Sequence, residues 1–318
     1  MSLLEPSAKW KIVFMGTPLF AAPVLEKLIE KENVIAIYTQ PDRPRGRGQK
    51  TLPSLIKEMA QKYRIPCFQP LHFKAPSTLE ELKALKPDLI VVIAYGLFLP
   101  QRVLDIPPHK TLNIHPSLLP KYRGAAPLQW ALIHGDHETG VTVLYVTPQM
   151  DAGDILLQKK IEILEEDTLE TLQTKLSILG ADLLIETIGG LKTNSLIPRL
   201  QDPKNISLAP KLSKEMGLLH WTQPARALFN LIRGANPWPG TYTILGKEVL
   251  KIHGAKVTDE TFQGKAGKIH SLIENGIEVE TPRGLLLLTE VQKPNKRKMN
   301  ASEFLKGQKI TLGSYLGT

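Results

Sequence analysis

Asn113 and His115 lie two residues apart in Thr111–Pro116, which has the pattern of a short strand. Side chains two positions apart in a strand project from the same face, so we expect the amide and the imidazole side by side. If the strand ends at Pro116, that face opens at the carboxyl edge of the sheet, where open α/β folds bind ligands. An amide donor beside an imidazole suits acyl transfer, because an oxyanion needs a donor and an attacking amine must lose a proton. Direct transfer is favoured, since neither residue is a usual nucleophile, although the pair could merely satisfy backbone groups at a strand end.

A carboxylate follows a second predicted strand. Asp151 comes after the alternating segment Gly140–Val146, at another transition from strand to loop. A carboxylate in that place could orient His115. An Asp before Ala-Gly is more often a turn residue, so the spacing leaves both interpretations open.

The elements that must position these residues alternate between strand and helix. Strands are predicted at Lys11–Met15, at Val34–Thr39, near Cys67 and at Leu89–Ala94. Helices are predicted over Ser54–Lys62 and Thr78–Leu85. A further helix is predicted after the first strand, with Thr17 as its cap and Pro18 at its first position. This alternation predicts βαβ units and a Rossmann-like, doubly wound, mostly parallel sheet. Met15-Gly16-Thr17 lacks the Gly-x-Gly-x-x-Gly fingerprint, so this shape does not imply a dinucleotide.

The pattern changes after residue 190. Apolar periodicity breaks into polar, Pro-containing stretches up to Pro210, which indicates a linker. Beyond it, one amphipathic helix is predicted at Ala225–Arg233, followed by five short strands at Thr241–Leu245, Val249–His253, Gly267–Ile273, Ile277–Glu280 and Leu285–Val291. Such strands favour a small OB-like β-barrel. The expected domains are 1–192 (catalytic α/β), 193–210 (linker) and 211–318 (basic barrel).

Composition limits the class of protein. The single cysteine, Cys67, excludes an internal disulfide framework and a multi-cysteine zinc site. His134 and His137 flank a Gly-Asp pair and are typical of a helix end and turn, so no metal is predicted. The longest apolar run, Leu89–Leu99, is about half of the ~20 residues that a membrane helix needs. Because the amino-terminal residues also lack a signal-peptide core, we expect a soluble, cytoplasmic protein without membrane contact.

The positive charge is unevenly distributed. The chain has a net charge of +9, and the segment from Ala209 onward contributes 16 basic and 9 acidic residues. Gln40–Lys50 adds four cations among glycines and prolines. Both features suit contact with a polyanion. A solvated surface and a solvated loop are the alternative interpretations.

The motifs taken together resemble those of the folate-dependent formyltransferases, almost from end to end. They are Phe14-Met-Gly-Thr-Pro-x-Phe20, Gln40-Pro-Asp-Arg-Pro, Ala94-Tyr-Gly96, Asn113-x-His115-Pro-Ser-Leu-Leu-Pro-x-Tyr-Arg-Gly-x-x-Pro127, Met150-Asp-Ala-Gly-Asp154, Ala209-Pro-Lys-Leu-x-Lys-Glu215 and Asn236-Pro-Trp-Pro239. These motifs are similar to those of the branch of the family that formylates methionine on initiator tRNA. One departure is Ser54-Leu-Ile-Lys57, where the family often has Ser-Pro-Val-Lys.

The resemblance implies a reaction and three catalytic residues. The amine of methionine on initiator tRNA would attack the formyl carbon of 10-formyltetrahydrofolate, with no metal. Asn113 would bind the oxyanion, and His115 would polarise the formyl oxygen or relay a proton. Asp151 would hold His115 and, through water, help to move the proton to the departing folate nitrogen.

The resemblance also implies binding residues. Folate contacts fall on Ser117, Leu118, Leu119, Pro120, Tyr95 and Gly96, and tRNA contacts on Arg43, Arg45, Arg47, Lys50, Lys296, Arg297 and Lys298. A monomer is the family habit and is expected here.

Four other functions remain as alternatives. A sugar-nucleotide formyltransferase shares the His-x-Ser-Leu-Leu-Pro core but does not need the basic loop or the basic second domain. A glycinamide ribonucleotide formyltransferase normally has one domain, and a formyltetrahydrofolate hydrolase leaves the basic loop unexplained. An RNA-binding protein on an inactive scaffold predicts a broken Asn/His/Asp set, which is intact here.

Overall fold

The computed structural model describes residues 9–45 and 50–317, which divide into two compact units. The first unit contains the described residues up to Gly124, Glu138–Ile161 and Gln173–Leu208. The second contains Ala125–His137, Glu162–Leu172 and the chain from Ala209 onward. The two short segments, Ala125–His137 and Glu162–Leu172, therefore belong to the second unit, although most of their neighbours in sequence belong to the first. The domain bounds 1–192, 193–210 and 211–318 stay a prediction.

The first half of the chain alternates between strands and helices. Its strands are β1 (Lys11–Gly16), β2 (Asn33–Tyr38), β3 (Arg43–Arg45), β4 (Lys50–Leu52), β5 (Cys67–Phe68), β6 (Leu89–Ile93), β7 (Thr111–His115), β8 (Arg123–Gly124), β9 (Glu138–Tyr145) and β10 (Ile155–Glu162). Its helices are α1 (Ala22–Lys31), α2 (Leu55–Tyr63), α3 (Pro76–Ala84), α4 (Gln101–Leu104), α5 (Pro127–His134) and α6 (Leu169–Lys192).

Seven of these strands form one sheet, in the order β10-β9-β7-β6-β1-β2-β5. The pairs β7–β6, β6–β1, β1–β2 and β2–β5 are parallel, and β9 is antiparallel to β7. The central strands are apolar on both faces, as a sheet covered by helices on both sides requires. The predicted Rossmann-like, mostly parallel sheet is confirmed.

The start of the first helix differs from the prediction. Pro18 precedes a single 3₁₀ turn, Leu19–Ala21, and α1 begins only at Ala22. The Thr17 hydroxyl does not cap a helix; it donates a hydrogen bond to the carbonyl of Tyr95 at 3.3 Å. A long-range contact between two strand ends therefore replaces the local cap that the sequence suggests.

The second half of the chain is mostly antiparallel. Its elements are β11 (Leu208–Ala209), α7 (Ala225–Ala235), β12 (Thr241–Leu245), β13 (Glu248–Asp259), β14 (Ile269–Ile273), β15 (Gly276–Glu280), β16 (Leu285–Gln292), β17 (Met299–Asn300) and α8 (Ala301–Gly307). The sheet runs β12-β13-β16-β15-β14, with β17 on β16. Tyr315 and Leu316 bridge Lys268, just before β14, and Leu245 of β12, so the chain end links the two edge strands. This agrees with the predicted barrel-like domain.

The core of the second unit is built on α7 and the sheet. Leu228 and Ile232 of α7 pack against Ile252, Leu286 and Leu288 of the strands, and all five side chains are buried. The helix α5 packs against α7 within the same unit. No helix in the described part of the chain is long and apolar enough to cross a membrane.

Candidate active site

Strand β7 places two polar side chains on one face near its carboxyl end. Asn113 is half-buried and His115, the last residue of the strand, is buried with 4% of its surface exposed. Strands β1, β2 and β6 run parallel to β7, so their carboxyl ends lie at the same edge of the sheet. That edge is where ligands bind in open α/β sheets.

The loop after β9 brings a carboxylate to this pair. Asp151 accepts a hydrogen bond from Asn113 Nδ2 through Oδ1 at 3.3 Å. Its Oδ2 accepts the backbone N–H of Gly124 at 2.9 Å and lies 3.6 Å from His115 Nδ1. The structure therefore brings together the three residues that the sequence analysis identifies as catalytic.

The hydrogen bonds of His115 define its orientation. Its Nε2 lies 2.9 Å from the carbonyl oxygen of Tyr122, and since a carbonyl can only accept, Nε2 carries a hydrogen. Nδ1 then faces Asp151, at a distance longer than a hydrogen bond. Such contacts commonly tighten when substrate binds, so the imidazole is placed to exchange a proton on the side of the carboxylate.

Among the described residues, the amide of Asn113 has a donor position that no hydrogen bond uses. Nδ2 carries two hydrogens, and Asp151 accepts one of them. The second hydrogen is available to an oxygen that develops negative charge at the sheet edge. The arrangement therefore combines an amide donor, an imidazole and a carboxylate in a partly buried place, where electrostatic interactions are strong.

The segment predicted to contact folate is held by its own hydrogen bonds. The buried Ser117 hydroxyl donates to the carbonyl of Lys121 at 2.7 Å, and the N–H of Leu119 donates to Thr142 Oγ1 at 3.1 Å. Leu119 is packed into the core, whereas Leu118 and Pro120 are half-buried. The buried side chains thus fix the shape of the loop, and Leu118, Pro120 and the backbone remain for contact.

Tyr95 and Gly96 line a cavity of about 390 Å³ at the ends of β1, β2 and β6. The other residues of its lining include Thr17, Pro18, Gln40, Pro41, Asp42, Arg43, Leu52, Ser54 and Ala94. The Tyr95 carbonyl accepts hydrogen bonds from Gln40 Nε2 and Thr17 Oγ1, which uses both lone pairs. The Tyr95 hydroxyl is buried without a hydrogen-bond partner among the described residues, and burial raises its pKa.

The base of the predicted basic loop is firmly anchored. Asp42 accepts hydrogen bonds from Lys57 at 2.5 Å and Gln69 at 2.8 Å, and these bonds lower the pKa of its carboxyl. Arg43 is exposed and donates to Gln40 Oε1 at 3.0 Å.

Only part of the basic loop lies within the described residues. Arg45 and Lys50 pair through their backbones in the β3–β4 hairpin, whereas their side chains and the whole of Arg47 lie outside that description.

The second basic cluster lies around the turn between β16 and β17. Lys298 is paired with Glu290 at 2.9 Å, and Arg297 is paired with Glu303 at 2.8 Å. Lys296 is exposed and forms no ion pair within the described residues. These pairings were not predicted, because each depends on how the turn brings a cation to an acidic residue six or eight positions away.

Two contacts of the site could not be predicted from residue type. The Tyr122 carbonyl and the Gly124 N–H contribute as backbone groups, in the left-handed region at φ 63° and φ 130°. In the sequence, only the Tyr-Arg-Gly stretch of the longest motif points to these two backbone groups. A third residue, Gln201, lies in the segment interpreted as a linker and bonds the backbone of Asp151. Within the described residues no group of three or more His, Cys, Asp or Glu could hold a metal ion.

Comparison with known proteins places the chain in a family. The family model described as formyl transferase matches residues 10–188, and the one described as formyl transferase, C-terminal domain, matches residues 211–309. Methionyl-tRNA formyltransferase of Trichlorobacter lovleyi is 45% identical over 96% of this chain and 97% of its own length. That of Syntrophus aciditrophicus is 44% identical over 98% of this chain and 100% of its own.

Solved structures share the fold at low sequence identity. An N-formyltransferase from Helicobacter canadensis, in complex with folinic acid and dTDP-3-aminofucose, has a TM-score of 0.68 and 19% identity, covering 90% of this chain and 100% of that one. HypX from Aquifex aeolicus, in complex with tetrahydrofolic acid, has a TM-score of 0.65 and 19% identity, covering 97% and 51%. At these identities the likeness concerns the fold alone.

Proposed function

We propose that this chain, which belongs to the methionyl-tRNA formyltransferases, transfers the formyl group of 10-formyltetrahydrofolate to the amine of methionine on initiator tRNA. The product is N-formylmethionyl-tRNA, which serves translation initiation. The observation that carries this proposal is the convergence of Asn113, His115 and Asp151 at the carboxyl edge of the sheet. Relatives that are 44–45% identical over nearly the whole chain are methionyl-tRNA formyltransferases.

Asn113 stabilises the tetrahedral intermediate. The amine nitrogen attacks the formyl carbon, and the carbonyl oxygen becomes an oxyanion. The hydrogen of Nδ2 that Asp151 does not accept is available to this oxygen. A donor fixed by a hydrogen bond is already oriented when the charge develops, so it stabilises the transition state more than the ground state.

His115 and Asp151 move the proton. The attacking amine must lose a proton, and the folate nitrogen must gain one as its bond to the formyl carbon breaks. Asp151 is oriented by Gly124 and lies beside the imidazole of His115. The carboxylate, with a water molecule, passes the proton from the amine to the departing nitrogen. His115, whose Nε2 hydrogen is held by the Tyr122 carbonyl, relays the proton through Nδ1.

The folate substrate binds at the sheet edge, beside the cavity that Tyr95 and Gly96 line. The cavity of about 390 Å³ lies within the usual range for small-molecule sites. Because the Tyr95 carbonyl already accepts two hydrogen bonds, the backbone of Gly96 is the group at this place that contacts the pterin ring. Leu118 and Pro120 contact the same substrate, in a loop whose shape Ser117 and Leu119 maintain.

The tRNA contacts fall on the two basic regions. They are Arg43, Arg45, Arg47 and Lys50 of the basic loop and Lys296, Arg297 and Lys298 of the second cluster. These cations bind phosphates rather than read bases, because most protein contacts to nucleic acid are of that kind. Catalysis belongs to residues 1–192, and tRNA binding is shared by the basic loop within that part and by residues 211–318. The enzyme acts as a monomer in the cytoplasm, where initiator tRNA is charged and used.

The proposal is tested by offering two acceptors with one formyl donor. Purified protein is incubated with 10-formyltetrahydrofolate and either initiator methionyl-tRNA or a nucleotide-linked amino sugar, and the formylated product is quantified. We expect transfer to the tRNA only. Transfer to the sugar alone would support a sugar-nucleotide formyltransferase, and binding of tRNA without transfer to either acceptor would support an inactive scaffold.

A further inference from the structure

The segment that the sequence analysis interprets as a linker crosses the first unit beside the candidate active site. Arg199 and Ile155 exchange two backbone hydrogen bonds of 2.8 Å. Further along, the Ser207 carbonyl accepts the backbone N–H of Arg123 at 2.9 Å, and the Ser207 hydroxyl accepts that of Tyr122. The stretch from Arg199 to Ser207 is therefore attached at both ends to the loops that carry the site.

One side chain of this stretch connects the two loops. Gln201 Nε2 donates to the carbonyls of Asp151 and Gly153, both at 2.8 Å. Gln201 Oε1 accepts from Arg123 Nη2 at 2.8 Å and Nε at 3.0 Å. The orientation of the amide is unambiguous, because the nitrogen faces two acceptors and the oxygen faces two donors.

These contacts close a ring around the carboxylate of Asp151. Gln201 holds the backbone of Asp151, whose Oδ2 accepts the N–H of Gly124. Arg123 precedes Gly124 directly, and its guanidinium returns to Gln201. Asp151 has a φ of 51°, in the left-handed region that most non-glycine residues avoid and that Asp tolerates better than most of them.

We propose that Gln201 is a positioning residue of the formyl-transfer site, which holds Asp151 in register with His115 and Asn113. This inference rests on the proposed function. Gln201 does not touch the reacting atoms. It fixes the backbone of Asp151, and it also fixes the strand β8, whose Gly124 N–H donates a hydrogen bond to the Asp151 carboxylate. A displacement of ~1 Å can lower a rate about 100-fold, so loss of the amide lowers kcat.

The test compares Gln201→Ala and Gln201→Glu in single-turnover formyl transfer to methionyl-tRNA. Gln201→Glu keeps an acceptor for Arg123 but presents oxygen to two carbonyl oxygens. We expect both variants to lose about 10- to 100-fold in rate, with Kd for folate and tRNA within about twofold of the wild type. Leu200→Ala, whose side chain is 87% exposed on the same segment, is the matched control and keeps the wild-type rate.

A second arm separates positioning from general stability. In an Asp151→Ala background, Gln201→Ala should lower the rate by less than about twofold, because residues that act through one another are not additive. A full additional loss in that background would overturn the proposal, as would a Gln201→Glu variant with wild-type kcat. If the wild type formylates neither acceptor, the proposed function itself fails, and the positioning role fails with it.

Discussion

Asp151 accepts hydrogen bonds from the side chain of Asn113 and the backbone of Gly124, and its carboxylate faces His115. An uncharged amide at this position could not serve the same partners, since it offers one acceptor atom where the carboxylate offers two. The NH₂ group of Asn would face either the Gly124 N–H or the amide of Asn113. The charge and the two oxygens therefore both contribute to the site.

Replacement of this residue gives the first prediction. Asp151→Asn should lower the single-turnover rate of formyl transfer by about 10²- to 10⁴-fold, the range typical of a group that transfers protons. Asp182→Asn, an exposed position on α6, is the matched control and should retain the wild-type rate. Equal rates for Asp151→Asn and the wild type would show that the carboxylate has no role in proton transfer.

The sequence predicts part of this geometry. Asn113 and His115 share a face because strand side chains alternate, which is a local rule. The contact between Asn113 and Asp151 spans 38 residues, and spacing alone left Asp151 open to interpretation as a turn residue. Gln201 carries no local signal at all, since its partners are backbone carbonyls and an arginine more than 40 residues away.

At the scale of elements, the loop after β9 depends on a close approach of backbone to backbone. Gly153 is buried, and a Cβ at this position would lie 1.9 Å from the carbonyl oxygen of Tyr145. Because a backbone carbonyl cannot rotate aside like a side chain, an added methyl group must displace the loop. That loop carries Asp151 two residues earlier.

This packing gives the second prediction. Gly153→Ala should reduce the free energy of unfolding by about 1–3 kcal/mol and lower kcat together with it. Gly189→Ala in α6, where a Cβ meets nothing within 4 Å, should instead stabilise the protein by up to about 1 kcal/mol. Unfolding in urea and a kinetic assay measure both. A wild-type kcat for Gly153→Ala would show that the packing of this loop does not affect catalysis.

The barrel-like unit contains a buried carboxylate with its own pH dependence. Burial alone would raise the pKa of Glu280, but hydrogen bonds from the Lys265 N–H, Lys268 and His270 lower it overall. A lowered folded-state pKa contributes stability above the unfolded pKa, and that stability is lost as the pH falls through the folded pKa.

The third prediction follows from this sign. The melting temperature of Glu280→Gln should be below that of the wild type at pH 7, and the difference should shrink as the pH falls below about 4.5, the ordinary value for Glu. Differential scanning calorimetry at pH 7, 5 and 4 measures it. A difference that does not change with pH would show that packing, not charge, accounts for the effect.

The elements themselves were predictable where the local pattern agrees with tertiary contacts. β12, β14, β15 and β16 match the predicted strands to within two residues, because their turns carry Asn-Gly and Arg-Gly signals. β13 continues six residues beyond the predicted His253, and its register shifts break the alternation that the prediction relies on. Thr17 illustrates the other limit, since its partner Tyr95 lies in a distant strand end.

At the scale of the whole molecule, charge is the property that the sequence establishes most directly. Of the net +9, the segment from Ala209 onward contributes +7, from 16 basic and 9 acidic residues. Part of this charge is neutralised locally, because Arg297 and Lys298 form ion pairs with acidic side chains. Lys296 has none within the described residues, so it can meet a phosphate without giving up an ion pair.

The fourth prediction concerns salt. Log Kd for methionyl-tRNA should rise linearly with log salt concentration, and Lys296→Ala should reduce the slope by about 1, the effect of one phosphate contact. Lys83→Ala, a cation on α3 paired with Glu80, is the control and should leave the slope unchanged. Filter binding between 50 and 200 mM salt measures the slope. Over this range, several phosphate contacts together change the affinity by about tenfold or more. An unchanged slope for Lys296→Ala would remove it from the tRNA surface.

The role of Asn113 is tested most directly by the single-turnover rate of formyl transfer from 10-formyltetrahydrofolate to initiator methionyl-tRNA in Asn113→Ala. We expect this rate to fall by about 10²- to 10³-fold, the effect of removing one oxyanion donor, while the Kd values for folate and tRNA stay within a few-fold of the wild type. A rate within a few-fold of the wild type, or a loss confined to binding, would contradict the assignment of Asn113 to the transition state.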